Sequence, residues 1–267
     1  MTVRFLTWNV WWRFGPWEQR QAAIEATLRT EAPDIVCLQE VWASDGGNDQ
    51  AATLAASLGY EYARTPSPFW EGFSFGNAVL SRWPILAAQT HRLPDEHGRA
   101  THRAALSVSI DAPFGVCKVI STHTDYRFDR SATRLAQTHA LAEMVADVRG
   151  NTESDFPVIL AGDFNALPDS DEMRHLVGRT EPAVPGLIFH DAWELAGTGG
   201  PGFTWSDDNP HLVDATWPNR RLDYILVSWP RPKGVGKIVA CRVAGDRLID
   251  GVMPSDHYAV VADLRTS

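Results

Sequence analysis

The chain has 267 residues and an acidic composition, with 24 lysines and arginines against 33 aspartates and glutamates and a formal net charge of −9. This charge disfavours extensive contact with nucleic acid, because proteins that grip long phosphate backbones usually carry a basic face. No apolar run reaches the ~18 residues of a membrane-spanning helix, and the segment from Met1 to Val10 lacks the pattern of a secretory signal.

Helix-like and strand-like segments alternate in the first part of the chain, and strands dominate afterwards. Residues 17–31 place Gln21, Ile24 and Leu28 on one face of an amphipathic helix, and residues 131–148 form the clearest helix of the sequence. Further helices are predicted at 48–58 and 170–176, strands at 5–9, 34–39, 60–63, 77–81, 85–91, 102–110, 116–121, 157–161, 222–228, 237–244 and 258–264, and irregular segments at 65–75 and 177–220.

Three cysteines, Cys37, Cys117 and Cys241, lie within apolar, strand-like runs. An odd number of cysteines without the spacing of a metal site disfavours a disulfide framework. We therefore expect buried free thiols and a cytoplasmic location.

Four predicted strands carry polar side chains at one end. Asn9 follows the first of these strands, Glu40 follows the second, Asp163 and Asn165 follow the run 157–161, and Ser255-Asp256-His257 precedes the last strand. A short β-branched run closed by acids and amides is typical of a buried strand that delivers polar side chains to a sheet edge. The four strand ends therefore predict one active site.

Six short motifs occur in order: Thr7-Trp8-Asn9, Leu38-Gln39-Glu40, Ser121-Thr122-His123, Gly162-Asp163-Phe164-Asn165, Arg221-Leu222-Asp223-Tyr224-Ile225 and Ser255-Asp256-His257. The set resembles the endonuclease/exonuclease/phosphatase superfamily of metal-dependent phosphoesterases, which includes pancreatic-type deoxyribonucleases, abasic-site endonucleases, inositol-phosphate phosphatases and neutral sphingomyelinases. Because the motifs are interleaved from end to end, we expect a single domain over residues 1–267. Two halves that each contribute strands and helices suggest two sheets packed face to face. The resemblance implies the same α/β fold, a four-layer α-β-β-α sandwich of mixed sheets with the site at one end.

Phosphodiester hydrolysis needs neutralised charge on the phosphoryl oxygens, an activated water and help for the leaving alkoxide. Glu40, at a strand end without a basic neighbour in sequence, suits a hard cation such as Mg²⁺, with Mn²⁺ as an alternative. Asp163 and Asn165 alternate along an extended chain and can face the same side, so Asp163 would orient the water and Asn165 would hold a phosphoryl oxygen. An Asx-turn that caps a following helix is the alternative interpretation of this pair.

Asp256 and His257 are adjacent and face opposite ways on a strand, so a separate carboxylate should orient the imidazole. Asp223, at the start of strand 222–228, is the best candidate. The resemblance implies that Asp223 and His257 form a pair and that His257 also contacts the phosphate. It further implies that Asp256 and Asn9 contribute to the metal and water network.

His123 follows predicted strand 116–121. The nuclease and sphingomyelinase branches of the superfamily carry a histidine here, so the resemblance implies that His123 stabilises or protonates the leaving group, a task suited to a pKa near about 6.5. Arg103 resembles the family arginine that reaches towards the substrate phosphate. A solvated arginine on an edge strand is the alternative interpretation of Arg103.

The motifs do not match one branch of the superfamily throughout. The run after Asn9, Val10-Trp11-Trp12, lacks the acid that abasic-site endonucleases carry, and residues 74–81 lack a glutamate to orient His123. We predict a Mg²⁺-dependent phosphoester hydrolase for a small or lipid-like phosphoester. A DNA or RNA nuclease and a catalytically inactive binding module on the same fold are the alternatives. Loop aromatics would pack beside the organic part of the substrate or stack on bases: Trp11, Trp12, Trp70 and Trp205.

Overall fold

The computed structural model describes residues 1–229 and 232–267. Its helices are α1 (Trp17–Glu31), α2 (Gln50–Leu58), α3 (Ser131–Val148), α4 (Asp171–Arg174) and α5 (Ala192–Ala196). Its strands are β1 (Thr2–Asn9), β2 (Ile35–Val41), β3 (Glu61–Arg64), β4 (Pro68–Trp70), β5 (Phe73–Ser74), β6 (Gly76–Ser81), β7 (Ile85–Pro94), β8 (Ala100–Ala112), β9 (Gly115–His123), β10 (Ile159–Asp163), β11 (Phe189–Asp191), β12 (Asp223–Ser228), β13 (Ile238–Ala244) and β14 (Ala259–Arg265).

Two six-stranded sheets form the centre of the described fold. The first has the order β13-β14-β1-β2-β6-β3, and the second has the order β11-β12-β10-β9-β8-β7. Both sheets are mixed, since β1 and β2 pair in parallel, as do β9 and β10, while the remaining neighbours are antiparallel. Two strands that run in parallel bring their carboxyl ends to the same edge of a sheet.

The apolar side chains sort into three buried layers. The inner faces of both sheets share one cluster, to which β1 contributes Phe5 and β12 contributes Ile225. On its outer face, the first sheet packs against α1 through Ile24 and against α2 through Leu54. The second sheet packs against α3 through Leu141 and related side chains. The resulting order of helix, sheet, sheet and helix is the predicted α/β sandwich.

Local signals explain where the helices begin and end. α2 begins at Gln50 rather than at the predicted residue 48, because the Asp49 side chain accepts the N–H of Ala52 as an N-cap. It ends at Leu58, and the C-cap residue Gly59 has a φ of 71°, the left-handed conformation that favours glycine. α3 has the predicted bounds.

Two segments predicted to be irregular contain short elements. Residues 65–75 include the hairpin of β4 and β5, while residues 177–220 include α5 and β11, which forms an edge of the second sheet. Elements this short leave too few positions for a period to be recognised. The helix predicted at 170–176 covers only Asp171–Arg174. The expectation of a single domain over residues 1–267 stays a prediction.

All three cysteines are free and buried, as predicted. Among the residues that the structure describes, no helix is both long and apolar enough to cross a membrane.

Candidate active site

The carboxyl ends of the two parallel strand pairs meet at one end of the sandwich. β1 ends at Asn9 and β2 ends just after Glu40, whereas β9 and β10 end at His123 and Asp163. Across the two sheets, Asn9 Nδ2 donates to Asp163 Oδ2 at 3.1 Å. His257 Nε2 approaches the same oxygen to 3.9 Å. The structure therefore brings the four predicted strand ends into one site.

A β-bulge turns Glu40 into this site. The register between β2 and β6 shifts between Leu38 and Val41, and the Glu40 backbone has a left-handed φ of 57°. Bulges re-aim a side chain, and a non-glycine residue in this conformation costs roughly 1–3 kcal/mol. Glu40 Oε1 accepts a hydrogen bond from Asn9 Nδ2 at 3.1 Å, whereas the buried Oε2 has no partner in the described part of the chain.

Gly162 allows β10 to lie against β9 beside the site. It is in register with Thr122, and a Cβ atom at this position would lie 2.0 Å from the Thr122 carbonyl oxygen. Any side chain here would therefore push the two strands apart. The next pair in register is Asp163 and His123, whose Oδ2 and Nε2 atoms are 3.5 Å apart.

Asp163 lies at the centre of the site. Its Oδ2 atom is within hydrogen-bond distance of Asn9 and is flanked by the Nε2 atoms of His123, at 3.5 Å, and His257, at 3.9 Å. The Asp163 side chain is only 1% exposed. A buried carboxylate between two imidazoles can accept a proton or orient a water molecule.

The extended alternation predicted for Asp163 and Asn165 is wrong. β10 ends at Asp163, and Asn165 has a left-handed φ of 48°. Asp163 Oδ1 accepts the backbone N–H of Asn165 at 2.9 Å, which is the Asx-turn of the alternative interpretation. This turn caps no helix, because α4 begins only at Asp171 after its own N-cap residue Ser170. The Asn165 side chain lies against the segment after His123, where its Nδ2 donates to the Thr124 carbonyl at 3.4 Å.

The Asn9 amide connects Glu40 to Asp163 through its nitrogen, and its oxygen does not face the site. Its Oδ1 accepts the backbone N–H of Trp11 at 3.0 Å, and its Nδ2 donates to both Glu40 and Asp163 at 3.1 Å. These partners assign the orientation of the amide. The predicted role of Asn9 as a metal ligand needs an amide oxygen, so the hydrogen bonds do not support it; they support a bridging role.

Asp223 and His257 are brought together as the sequence predicted. His257 Nδ1 lies 2.8 Å from Asp223 Oδ2, and β12 places Asp223 opposite Asp163. Within the described residues, Asp163, Asp223 and His257 offer ligand atoms that all lie within 4.8 Å of one another. Because Asp223 Oδ2 is paired with His257 Nδ1, Asp223 orients the imidazole and leaves its Nε2 towards Asp163.

The acids of the site are short of positive charge. Burial raises the pKa of Glu40 to about 7, with a further contribution from Asp256, and burial together with Asp223 raises the pKa of Asp163 to about 6. Burial also raises the pKa of Asp256. Buried carboxylates with raised pKa values and an unpaired Glu40 oxygen fit a hard divalent cation, which prefers oxygen ligands.

The two imidazoles differ in charge. Burial opposes the charged form of His257, but Asp223 and Asp163 hold its pKa well above the usual value. Burial, together with Arg103 and His257, holds the pKa of His123 well below the usual value. The buried Nδ1 of His123 has no partner among the described residues, in agreement with the lack of an orienting glutamate in the sequence. These shifts therefore favour the charged form of His257 and the neutral form of His123.

Arg103 faces the site from β8. Its guanidinium lies over the rings of Tyr126 and Phe75, at 5.5 and 6.0 Å from their centroids, and the Phe75 ring lies 6.0 Å from that of His123. Burial lowers the pKa of Arg103, while Glu40 and Asp163 oppose this shift. The buried Nη1 has no partner in the part of the chain that the structure describes. This donor suits an anion at the site.

Two buried polar residues that the sequence analysis passed over hold the Asp223–His257 pair. Thr204 Oγ1 accepts the backbone N–H groups of Leu222 and Asp223, and the Thr204 carbonyl accepts the N–H of Tyr258. Asn209 Nδ2 donates to the carbonyls of Ser255 and Asp256. Both residues come from the irregular segment 177–220, where no period or motif indicated burial.

Comparisons with known proteins agree with the predicted family and fold. The sequence profile of the Endonuclease/Exonuclease/phosphatase family matches residues 6–257. The chain therefore belongs to this family, whose members are hydrolytic phosphoesterases and nucleases.

Among the relatives, Nocturnin of Rattus norvegicus is 25% identical over 273 residues, which cover 92% of this chain and 58% of that protein. The chain thus spans less than two thirds of the length of this curated relative. A solved endonuclease/exonuclease/phosphatase from Beutenbergia cavernae DSM 12333 is 27% identical with a TM-score of 0.74, covering 99% of this chain and 71% of the other. The human Nocturnin catalytic domain with bound sulfate is 23% identical with a TM-score of 0.75, covering 99% and 94%.

Proposed function

We propose that this protein is a Mg²⁺-dependent phosphodiesterase that hydrolyses a small or lipid-like phosphoester by in-line attack of water. The observation that carries the proposal is the position of Asp163 between His123 and His257, with Asn9 joining it to Glu40. Acid, base and candidate metal ligand are thereby gathered within one buried cluster. The family membership supports phosphoester hydrolysis, and the cluster supplies the groups that this reaction needs.

Glu40 and Asp256 would hold the divalent cation, Mg²⁺ or Mn²⁺, whose charge supplies Lewis-acid stabilisation of the phosphoryl oxygens when it is bound. Both residues are half-buried, neither carboxylate is hydrogen-bonded to a lysine or arginine among the described residues, and the buried Glu40 Oε2 is unpaired. We assign Asn9 to the orientation of Glu40 and Asp163 rather than to the ion itself.

The remaining side chains divide the reaction between them. Asp163 accepts a hydrogen bond from the attacking water and aligns it with the phosphorus. His257, kept cationic by Asp223, donates from Nε2 to a phosphoryl oxygen. Arg103 contributes its unpaired Nη1, and Asn165 contributes the N–H that is not bound to Thr124. His123, whose neutral form is favoured by burial and by the nearby Arg103 and His257, donates a hydrogen bond to the departing oxygen.

Aromatic side chains around the site favour a substrate with an apolar or planar group beside the phosphate. Trp70 is 60% exposed and Phe69 is 57% exposed, and the Phe69 ring lies 5.0 Å from that of Phe75, next to His123. Trp12 is only 5% exposed and packs behind Phe69 and Phe75, so it supports this surface instead of contacting substrate. The net charge of −9 argues against a long nucleic acid.

A second candidate function, a nuclease acting on a single strand, is favoured by one further surface. The ring centroids of Phe128 and Trp217 lie 4.3 Å apart with the rings tilted by 37°, and the Arg220 guanidinium lies 4.1 Å over the Phe128 ring. Phe128 follows His123 by five positions and Arg220 precedes Asp223 by three, so both flank the site along the chain. Exposed aromatic rings with an arginine form a stacking surface for bases.

Buried free thiols support a cytoplasmic location for either function.

A substrate panel tests these functions. The purified protein is incubated with bis(4-nitrophenyl) phosphate, sphingomyelin, inositol phosphates, sugar phosphates, RNA and plasmid DNA, each with Mg²⁺, Mn²⁺ or EDTA. Metal-dependent turnover of a small or lipid phosphoester supports the proposal, and preferred turnover of RNA or DNA supports the nuclease. If no substrate is hydrolysed with either ion, the result would favour a binding module and overturn the proposed function.

A further inference from the structure

Arg20, on α1, is one of the most completely buried charged residues of the protein, with 1% of its surface exposed. Its guanidinium donates to carbonyl oxygens of the main chain instead of pairing with an acid: Val10 and Pro254 at 2.9 Å, Trp11 at 2.8 Å, and Trp12 and Phe14 at 3.0 Å. Burying a cation is costly unless its donors are satisfied; here Nη1 and Nη2 are satisfied by the five carbonyls, whereas the buried Nε has no partner in the described part of the chain. The arrangement therefore indicates that the loops supplying the carbonyls are held in place by Arg20.

The first of these loops, residues 10–14, has an unfavourable backbone. Trp11 and Trp12 have φ values of 57° and 34°, a left-handed region that bulky residues rarely occupy. Such a conformation persists only where the surroundings enforce it. Arg20 enforces it here, because the carbonyls of both tryptophans point to the same guanidinium, which also lies 4.7 Å from the centroid of the Trp11 ring.

This loop sets the orientation of Asn9. The backbone N–H of Trp11 donates to Asn9 Oδ1 at 3.0 Å, which leaves the Asn9 Nδ2 group facing Glu40 and Asp163. If the loop relaxed, Asn9 would lose the partner that selects this orientation. Arg20 is thus connected to each central acid through three successive hydrogen bonds, from Arg20 to the Trp11 carbonyl, from the Trp11 N–H to Asn9, and from Asn9 to the acid.

The second loop, which begins at Pro254, carries Ser255-Asp256-His257. Arg20 binds the Pro254 carbonyl, and Ser255 Oγ donates to the Asn9 carbonyl at 2.7 Å while accepting the His257 N–H at 3.3 Å. Arg20 therefore joins the segment that orients Asn9 to the segment that presents Asp256 and His257.

We propose that Arg20 is a positioning residue for the hydrolytic reaction, fixing the Asn9 amide and the Ser255–His257 segment relative to each other. The inference rests on the proposed function, but the anchoring itself does not. It requires the planar fork of a guanidinium, since a lysine ammonium has three donors and no plane and cannot reach five carbonyls. Arg20 does not touch the reacting groups; it acts through Trp11 and Pro254.

The test compares Arg20→Gln and Arg20→Lys with the control Arg134→Gln. Arg134 is also a buried arginine, but it donates to the carbonyls of Asp125 and Arg127 and to Glu172. Amide hydrogen exchange of the metal-free protein should accelerate at residues 9–14 and 253–257 in Arg20→Gln, and at 125–127 in the control. With bis(4-nitrophenyl) phosphate, the kcat of Arg20→Gln should fall by ~10- to 100-fold while its KM stays within about threefold, since small displacements of catalytic groups commonly cost this much. Arg20→Lys should lie between wild type and Arg20→Gln.

Unchanged exchange at both segments in Arg20→Lys and Arg20→Gln would overturn the anchoring. A folded Arg20→Gln with kcat within about threefold of wild type would overturn the positioning role. If Arg20→Gln fails to fold, Arg20→Lys decides by the same two measurements. A wild-type protein without activity on any phosphoester would instead reject the proposed function, and the exchange data would still report on the anchoring.

Discussion

Only one of the two carboxylate oxygens of Glu40 has a hydrogen-bond partner among the described residues. One oxygen is bonded to Asn9, while the other is buried without a partner in the described residues. A buried unpaired carboxylate oxygen is costly, and the bulge that places it there adds strain. Both costs are explained if the residue holds a cation.

Replacing Glu40 by glutamine should lower Mg²⁺-dependent turnover by ~10²–10³-fold, because a key charged contact is lost without a change of size. The melting temperature of the metal-free variant should not fall, since the change removes a buried charge. Turnover and thermal unfolding are measured beside Glu18→Gln, an exposed glutamate on α1. A rate within about tenfold of wild type would reject Glu40 as the main ligand.

Asp223 and His257 should act as one unit, because the imidazole depends on the carboxylate at 2.8 Å for both its orientation and its charge. Each single alanine variant should be severely impaired, and the double variant should be little slower than the worse single one. Single-turnover rates of the wild type, both single variants and the double variant form a cycle that measures the coupling. Losses that multiply would show that the two residues work independently.

At the scale of elements, the site depends on three interruptions of regular structure. The bulge in β2 aims Glu40, the turn after β10 bonds Asn165 to Asp163, and the irregular segment before β12 inserts Thr204 between Asp223 and Tyr258. A regular strand alternates its side chains and could not direct consecutive groups into one small volume. The close pairing of β9 with β10 holds the adjoining segments of the site in place.

Gly162→Ala tests the close packing of β10 against β9. The added Cβ would lie 2.0 Å from a backbone oxygen of β9, which cannot move as a flexible side chain would. We expect a loss of at least ~2 kcal/mol in the free energy of unfolding, the scale of overpacking in a core, measured by urea denaturation. Gly46→Ala is the control, since the nearest atom to its Cβ would be 3.7 Å away. Equal stability of the two variants would contradict the packing argument.

At the scale of the whole molecule, each sheet contributes part of the site. The first sheet supplies Asn9 and Glu40, the second supplies His123, Asp163 and Asp223, and the segment before β14 supplies Asp256 and His257. Gathering four acids between two sheets concentrates negative charge in a small volume. The raised pKa values of Glu40 and Asp163 therefore couple the stability of the fold to pH and to metal ions.

The sign of this coupling follows from the raised pKa values. In the metal-free protein burial raises the pKa of Glu40 to about 7 and that of Asp163 to about 6, above the ~4 of unfolded carboxyl groups. The folded state binds more protons between about pH 4 and 7, so the contribution of these two groups to the free energy of unfolding decreases as pH rises through that window. A cation needs the deprotonated acids and should replace the lost protons.

We therefore expect Mg²⁺ to raise the melting temperature more at about pH 8 than at about pH 5. An ion present at 100 times its dissociation constant contributes about 2.7 kcal/mol. Calorimetry with Mg²⁺ and with EDTA at both pH values measures the difference. In Glu40→Gln the increment should be smaller and should depend less on pH. An increment that is the same at both pH values in the wild-type protein would contradict the coupling.

The sequence by itself determined the sandwich and most members of the site. Apolar runs that end at Asn9, Glu40 and Asp163, and one that begins after His257, predicted the strand ends. Adjacent residues on a strand face opposite ways, which disfavoured Asp256 and left Asp223 as the best candidate to partner His257. Tertiary structure decided what depends on distant contacts. It converted the Asp163–Asn165 alternation into a turn, made Asn9 a bridge, and buried Arg20, Thr204 and Asn209 under the loops that they hold. Their hydrogen bonds go to backbone groups, which look alike in any sequence, so no local pattern could identify those partners.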